Sequence, residues 1–267
     1  MRMKFIACVK LTPDTEQLAE VRLEKVSTGD LGVTMVLNPW DEYAVEEVLQ
    51  LAERYDGDTV AITVGNEDFV EALKRAVAMG VGEAVLLSDP AFAGSDAWGT
   101  ADILAQAIKQ QDGYALVLTG KQSVDGNSGV VGAGVACKLG IPYVSNVIKI
   151  EDVSGGYAVV RRMLDEGVQT VKVSLPAVVS VSIEINEPRY PNFMGIRKAS
   201  RMQYPAQGVG DIPGLESGKV GVGAALVKWT DLRKPPKRGS QCEFIQGASA
   251  VEQATSLVDK LIADKVI

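Results

Sequence analysis

The sequence predicts an α/β chain: a doubly wound, mainly parallel sheet with added antiparallel strands and a long C-terminal arm ending in a helix. Three observations predict it. Through the first two-thirds of the 267 residues, short and nearly continuous apolar runs alternate with longer stretches patterned at three- and four-residue steps. Runs that are apolar on both faces suit strands covered on both faces, and their alternation with helices makes those strands parallel. After Pro142 the helical patterns give way to closely spaced strand-like runs, and from about Pro188 the chain turns rich in Pro and Gly.

Taken in order, residues 4–9 (KFIACV) read as the first buried strand, and residues 59–64, 84–87 and 115–119 repeat the type. Asn38 and Pro39 open a helix as cap and first helical residue, and its apolar stripe runs through Ala44, Val48, Leu51 and Ala52. Residues 67–79 form a second helix stopped by Gly80, residues 100–109 a third, and residues 128–139 a fourth stopped by Gly140. The runs at 143–150, 157–162, 170–173 and 177–185 follow one another through short turns and read as antiparallel strands that extend the sheet or form a flap. Glycines at 218–223 and the KPPKRG run at 234–239 mark the arm. A stretch this long without regular structure is uncommon in a compact domain unless it is functional or packs on a partner. Its final helix, at 248–263, carries Val251, Ala254, Val258 and Leu261 on one face. That stripe needs either a partner subunit or the parent domain to cover it. The expected division is a Rossmann-like α/β domain at 1–204 and an arm at 205–267.

Composition excludes several kinds of chemistry. Lys and Arg number 27 against 34 Asp and Glu, a formal charge of −7, which argues against a dedicated nucleic-acid binder. There is no histidine, so no Ser-His-Asp triad, Cys-His pair or imidazole metal ligand can form. Three scattered cysteines fit a reducing compartment better than disulfides or zinc. With only a short apolar stretch near residue 5 and no run long enough to span a bilayer, the expectation is a soluble, cytoplasmic protein.

Glycine patterns at 208–210 and 221–223 start like dinucleotide fingerprints but lack the strand and helix that such a motif needs. They read as loop glycines, and no P-loop occurs. The stretch GKQSVDGNSGVVGAG at 120–134 is more informative, since it leaves an apolar strand and feeds a helix. Open α/β sheets bind ligands there, with backbone N–H groups and a helix N-terminus suited to phosphate. Ser123, Asn127 and Ser128 add neutral donors, whereas Asp125 caps the turn or holds a ribose hydroxyl. An ordinary strand-to-helix turn would read the same way. At the other polar junction, Trp40 could stack on a flat heterocycle, although composition favours the core. Cys8, with nothing to activate it, reads as a buried structural cysteine.

The stretch RMLDEGVQTVKVSLPAVVSVSIEINEPRY at 162–190 resembles the signature of the electron transfer flavoprotein β-subunit family. Arg162, the Asp165-Glu166-Gly167 cluster, Gln169, the LPAV at 175–178 and the NEPRY at 186–190 carry that resemblance. CVK at 8–10, NPWDEYAVEE at 38–47, LKRAVAMG at 73–80 and GKQSVDG at 120–126 agree in order. The resemblance implies a β subunit without catalytic chemistry of its own, paired with a larger α subunit that mainly holds FAD. It implies electrons taken from acyl-CoA dehydrogenase-type flavoproteins and passed to a membrane quinone oxidoreductase, as in fatty acid oxidation.

It also implies AMP in a pocket at the strand ends. That pocket would use Cys8, Asn38, Pro39, Trp40, Asp41 and Val64, together with the loop Gly120, Lys121, Gln122, Ser123, Val124, Asp125, Gly126, Asn127, Ser128, Gly129, Val130 and Val131. Val130 stands where the family often has Gln, which shifts the binding toward backbone N–H groups. Thr15 stands where some members place a Tyr near the flavin. The TPDT at 12–15 and SDPAFAGSD at 88–96 look more like the electron-bifurcating branch, in which a second FAD replaces AMP and NADH is used. Residues 191–201 match the family's partner-recognition loop, with Phe193 and Met194 as its exposed apolar part and Arg197, Lys198 and Arg201 as its basic flank. A stand-alone adenine-nucleotide sensor is the remaining alternative, disfavoured by the arm and that loop.

Overall fold

The computed structural model describes residues 2–26, 31–228, 231, 233 and 242–267, so the KPPKRG run lies outside the described residues. In chain order the elements are β1 (Lys4–Cys8), β2 (Leu11–Pro13), the short α1 (Leu23–Val26), β3 (Met35–Leu37), α2 (Pro39–Tyr55), β4 (Asp58–Val64), α3 (Val70–Met79) and β5 (Glu83–Leu87). Then come α4 (Ala97–Ile108), β6 (Tyr114–Gly120), α5 (Val131–Leu139), β7 (Tyr143–Ser154), β8 (Tyr157–Leu164), β9 (Gly167–Ser174) and β10 (Ala177–Val181). They are followed by α6 (Phe193–Arg201), β11 (Ala206–Gln207), α7 (Gly221–Ala224) and α8 (Ala250–Ala263). Among the described residues, nine strands form one sheet in the order β11-β5-β4-β1-β6-β10-β7-β8-β9. Every pairing from β11 across to β7 is parallel, and β8 and β9 add antiparallel strands at the end. β2 and β3 make a small antiparallel pair beside it.

The core explains the apolar runs. Phe5, Ala7, Ala61, Leu116 and Leu118 face the helices α2 and α3, while Ile6, Val60, Ile62 and Val117 face α4 and α5. Alternate residues of each strand thus enter opposite layers, which is why the central strands carry almost no polar residue. β1 is the switch point. The chain runs outward from it through β4 and β5, then returns to its other side with β6. In such sheets the crevice beyond the carboxyl ends of the strands at that point receives ligands.

Several expectations are corrected. The run at 177–185 is not antiparallel to its predecessors: β10 stops at Val181 and lies parallel between β6 and β7. A parallel return needs a crossover, and here the β8–β9 hairpin supplies it in place of a helix. The fourth helix starts at Val131 rather than 128, because Asn127 (φ 50°) and Gly129 (φ 62°) hold left-handed backbone. The segment 191–201 is mostly helical: Asn192 caps α6 by accepting the Gly195 N–H at 2.8 Å. Residues 67–69 form a 3₁₀ turn ahead of α3.

The chain divides into two units, Met1–Thr230 and Asp231–Ile267. Within the first, β11 pairs with β5, and Ile212, Leu215 and Val220 are buried in the layer with α4. In the second, Ser249 caps α8, and Lys260 pairs with Glu243 at 2.6 Å. No described helix is long and apolar enough to cross a membrane.

Candidate functional site

At the switch point the structure gathers most of the residues that the sequence singles out. Cys8 ends β1, Gly120 ends β6, and Asn38 with Pro39, Trp40 and Asp41 forms the start of α2 beneath them. The loop from Lys121 to Val130 then runs into α5. Asn38 is buried and ties the loop down: its Nδ2 donates to the Gln122 carbonyl at 3.0 Å and its Oδ1 accepts the Val124 N–H at 3.2 Å. Asp41 secures both strand exits by accepting the Lys10 N–H at 2.9 Å and the Gly120 N–H at 3.2 Å. Gly120 is obligatory here, because a Cβ would lie 2.5 Å from Asp41 Oδ1 and 2.7 Å from the Trp40 carbonyl carbon.

Burial sets the electrostatics. It pushes the Asp41 carboxyl up to about 7, against the hydrogen bonds from Asn38, Lys10 and Gly120. Burial, with Asp41 nearby, likewise pushes the Cys8 thiol up to about 12, so Cys8 stays a protonated structural thiol. At Asp125 burial also pushes upward, but the hydrogen bond and charge of Lys10 outweigh it and hold the carboxyl below its usual range. Lys10 Nζ sits 2.7 Å from Asp125, closing the crevice between the loops that follow β1 and β6. Asp125 is therefore neutralised by a cation, an arrangement that sequence reading did not find.

Trp40 is half-buried rather than a core aromatic, with Lys121 Nζ 5.8 Å from its ring centroid. Gln122 Nε2 donates to Asn127 Oδ1 at 3.1 Å, and residues 126–130 are exposed. No side chain caps the N-terminus of α5, as is also true of α2 and α3, whereas α4, α6 and α8 are capped by Asp96, Asn192 and Ser249. Its first N–H groups, at the end of a loop with two left-handed residues, form a cradle of the kind that takes an anionic group. Val64 ends β4 on the other side of β1 and is not joined to the loop by any of these bonds.

The second group of predicted residues lies elsewhere. Tyr190 and Phe193 are 91% and 78% exposed, and Met194, Ile196, Arg197 and Arg201 are exposed beside them. Phe193 thus does not pack into its own chain's core. Lys198 donates to the Val81 carbonyl at 3.1 Å, anchoring α6 to the turn after α3. Gly195 allows that approach, since a Cβ would fall 2.1 Å from the Ala78 carbonyl oxygen. A cleft of about 410 Å³ between α3 and α6 is lined by Glu71, Lys74, Arg75, Pro191, Ile196 and Ser200.

Upstream, Arg189 is clamped to α2. Glu46 accepts its backbone N–H at 3.1 Å and its Nε at 2.8 Å, and Glu53 accepts Nη1 at 2.6 Å. Burial pushes Glu46 upward, but these bonds prevail and hold it below the ordinary range. Asn186 adds bonds to the Tyr43 carbonyl at 3.1 Å and to Glu47 at 3.0 Å. Sequence reading missed Lys10, Glu46 and Glu47 as partners, because pairs more than a hundred residues apart leave no local pattern.

Comparison with known proteins is consistent along the chain. Residues 29–207 match the family model of the electron transfer flavoprotein domain. The chain is 36% identical to the caffeyl-CoA reductase-Etf complex subunit CarD of Acetobacterium woodii, over 99% of this chain and 100% of that one. It is 34% identical to the electron transfer flavoprotein subunit beta of Mycobacterium tuberculosis (98% and 99% covered). Against the same-named subunit of Bacillus subtilis the identity is 33%, with 99% and 100% covered.

Proposed function

The chain belongs to the electron transfer flavoprotein family, among its β subunits, and from that premise we propose that it works as the smaller half of a soluble electron-carrying heterodimer. Electron transfer flavoprotein β subunits pair with α subunits, associate with flavin and carry electrons rather than catalyse a reaction of their own. In this reading electrons come from acyl-CoA dehydrogenase-type flavoproteins and leave to a membrane quinone oxidoreductase. FAD, held mainly by the α subunit, supplies the redox chemistry. This chain contributes geometry, a bound adenine nucleotide, and a docking surface. Residues 205–267 serve as the arm toward the α subunit.

The observation that supports the nucleotide is the uncapped α5 N-terminus at the switch point, reached through an exposed loop with two left-handed residues. N–H groups of residues 128–132 would take a phosphate, with Ser123, Asn127 and Ser128 as neutral donors. The Lys10–Asp125 pair answers the objection that a free carboxylate there would repel one. Trp40, half-buried under Lys121, offers a flat face for a base. AMP has no redox chemistry, so its role is to hold the two loops together and stabilise the native state.

A second reading, favoured by the similarity to a caffeyl-CoA reductase-Etf complex subunit, places a second FAD in the same pocket and makes the heterodimer bifurcating. The TPDT segment with Thr15 points the same way. Stopped-flow absorbance on the heterodimer separates the two. Flavin reduction by an acyl-CoA dehydrogenase with its substrate, and none by NADH, supports the carrier. Rapid reduction by NADH supports bifurcation instead.

A further inference from the structure

The glycine-rich loop after β6 is held unevenly along its length. Asn38 fixes its first half through the Gln122 carbonyl and the Val124 N–H. Beyond Asp125, residues 126–130 are exposed and turn through two left-handed residues, Asn127 and Gly129. The bonds of Asn127 run back within the loop, its N–H donating to the Ser123 carbonyl at 2.8 Å and its Oδ1 accepting from Gln122 Nε2. The part of the loop that leads to α5 is therefore joined to the neighbouring strand exit through Asp125.

Lys10 faces Asp125 from a backbone that cannot follow the loop. Its N–H donates to Asp41 Oδ2 and its carbonyl accepts the Asn38 N–H, both at 2.9 Å, which fixes it to the start of α2. From there Nζ reaches both oxygens of Asp125, at 2.8 and 2.7 Å. The Ser123 hydroxyl and the Gly126 N–H bond the same carboxylate from the loop side, so Asp125 is aimed at its partner. The Lys10 and Asp125 side chains are nevertheless 42% and 30% exposed. An ion pair in contact with water is worth little at equilibrium and is screened by salt, which suits a fastening that opens and recloses better than a permanent strut.

We propose that the Lys10–Asp125 pair is a latch on the switch-point crevice that sets how fast a nucleotide enters and leaves. The inference rests on the nucleotide reading above. While Asp125 occupies Lys10, the ammonium is not engaged with phosphate, which is left to the backbone N–H groups of the loop and α5. A bond that forms over the crevice with or without nucleotide favours neither state, so it changes rates and leaves affinity where it was. A lysine that grips the phosphate itself behaves in the opposite way: Asp125 then competes with the ligand, and removing Asp125 tightens binding.

The test uses the co-expressed heterodimer loaded with radiolabelled AMP by exchange, with release followed after a chase of unlabelled AMP. Asp125→Asn and Lys10→Met should each speed release by roughly two- to fivefold, the factor a surface ion pair commands. Their equilibrium affinity for AMP should stay within about twofold of the parent's. Raising salt from about 0.05 to 0.5 M should hasten release from the parent and affect the variants less. Exchanging the charges, Lys10→Asp with Asp125→Lys, should restore slow release. Slower release from Asp125→Asn overturns the latch and makes Lys10 a phosphate ligand. Unchanged release in both single variants, or faster release that the exchanged pair does not restore, overturns it as well. A parent heterodimer that binds no AMP ends the nucleotide reading itself, and the latch with it.

Discussion

Asp41 and Gly120 meet where α2 begins and β6 ends: the Gly120 N–H donates to Asp41 Oδ1 at 3.2 Å, and no side chain fits between them. This contact joins the floor of the candidate pocket to the helix that carries Asn38 and Trp40. Gly120→Ala should force the start of α2 away from the loop and cost about 1–3 kcal/mol in urea unfolding, as overpacking does. Gly210→Ala, where an added Cβ meets nothing within 4 Å, serves as the control and should be close to neutral.

Asp41 also makes stability depend on pH in a defined direction. Burial pushes its folded carboxyl up to about 7, against an ordinary aspartate value of 3.8. Between about pH 4 and 7 the folded chain therefore binds a proton that the unfolded chain has released, and stability contributed by this group falls as pH rises through that window. It levels off above 7. One such group gives a slope of at most about 1.4 kcal/mol per pH unit. Asp41→Asn should remove that component, so denaturant midpoints of the variant measured from pH 4.5 to 7.5 should run flatter than those of the parent.

Gly129 holds φ at 62°, a left-handed conformation that lets the loop present its N–H groups ahead of α5. Gly129→Val should strain that backbone by about 1–2 kcal/mol and crowd the approach to the α5 N-terminus. Heterodimer purified from the variant should contain less adenine nucleotide, and added AMP should raise its melting temperature less than it does for the parent.

Docking through α6 has two separable signatures. Phe193→Ala should weaken binding of a partner dehydrogenase by about 2 kcal/mol, roughly thirtyfold, with the flavin spectrum unchanged and little effect of salt. Arg197→Gln should act on the association rate, with an effect that fades as ionic strength rises. Lys198 is expected to behave differently from Arg197, since its ammonium is bonded to the Val81 carbonyl and its loss would loosen α6 itself.

Much of this arrangement is legible in the chain before any coordinates. Apolar runs mark β1, β4, β5 and β6 because each is buried on both faces, and Pro39 marks the start of α2 because first-turn chemistry is local, although the Asn38 side chain, expected to cap the helix, bonds the 122–124 loop instead. The glycine-rich stretch marks the loop between β6 and α5 for the same reason. What escapes is what depends on distant partners. The direction of β10 is set by β6 and β7 rather than by its own residues, and its short connection from β9 suggests a hairpin. Trp40 has a core residue's composition but sits at the sheet's open end. Lys10 and Asp125 neutralise each other across 115 residues of chain, and Asp96 reaches 130 residues forward to Leu226.

The central claim is that this β-type subunit holds an adenine nucleotide at the switch point while the α subunit holds the flavin. The most direct measurement is to denature the purified heterodimer, separate the released nucleotides by chromatography and quantify them against protein. One AMP and one FAD per heterodimer is the result expected. Two FAD without AMP, or one FAD with no second nucleotide, would contradict it.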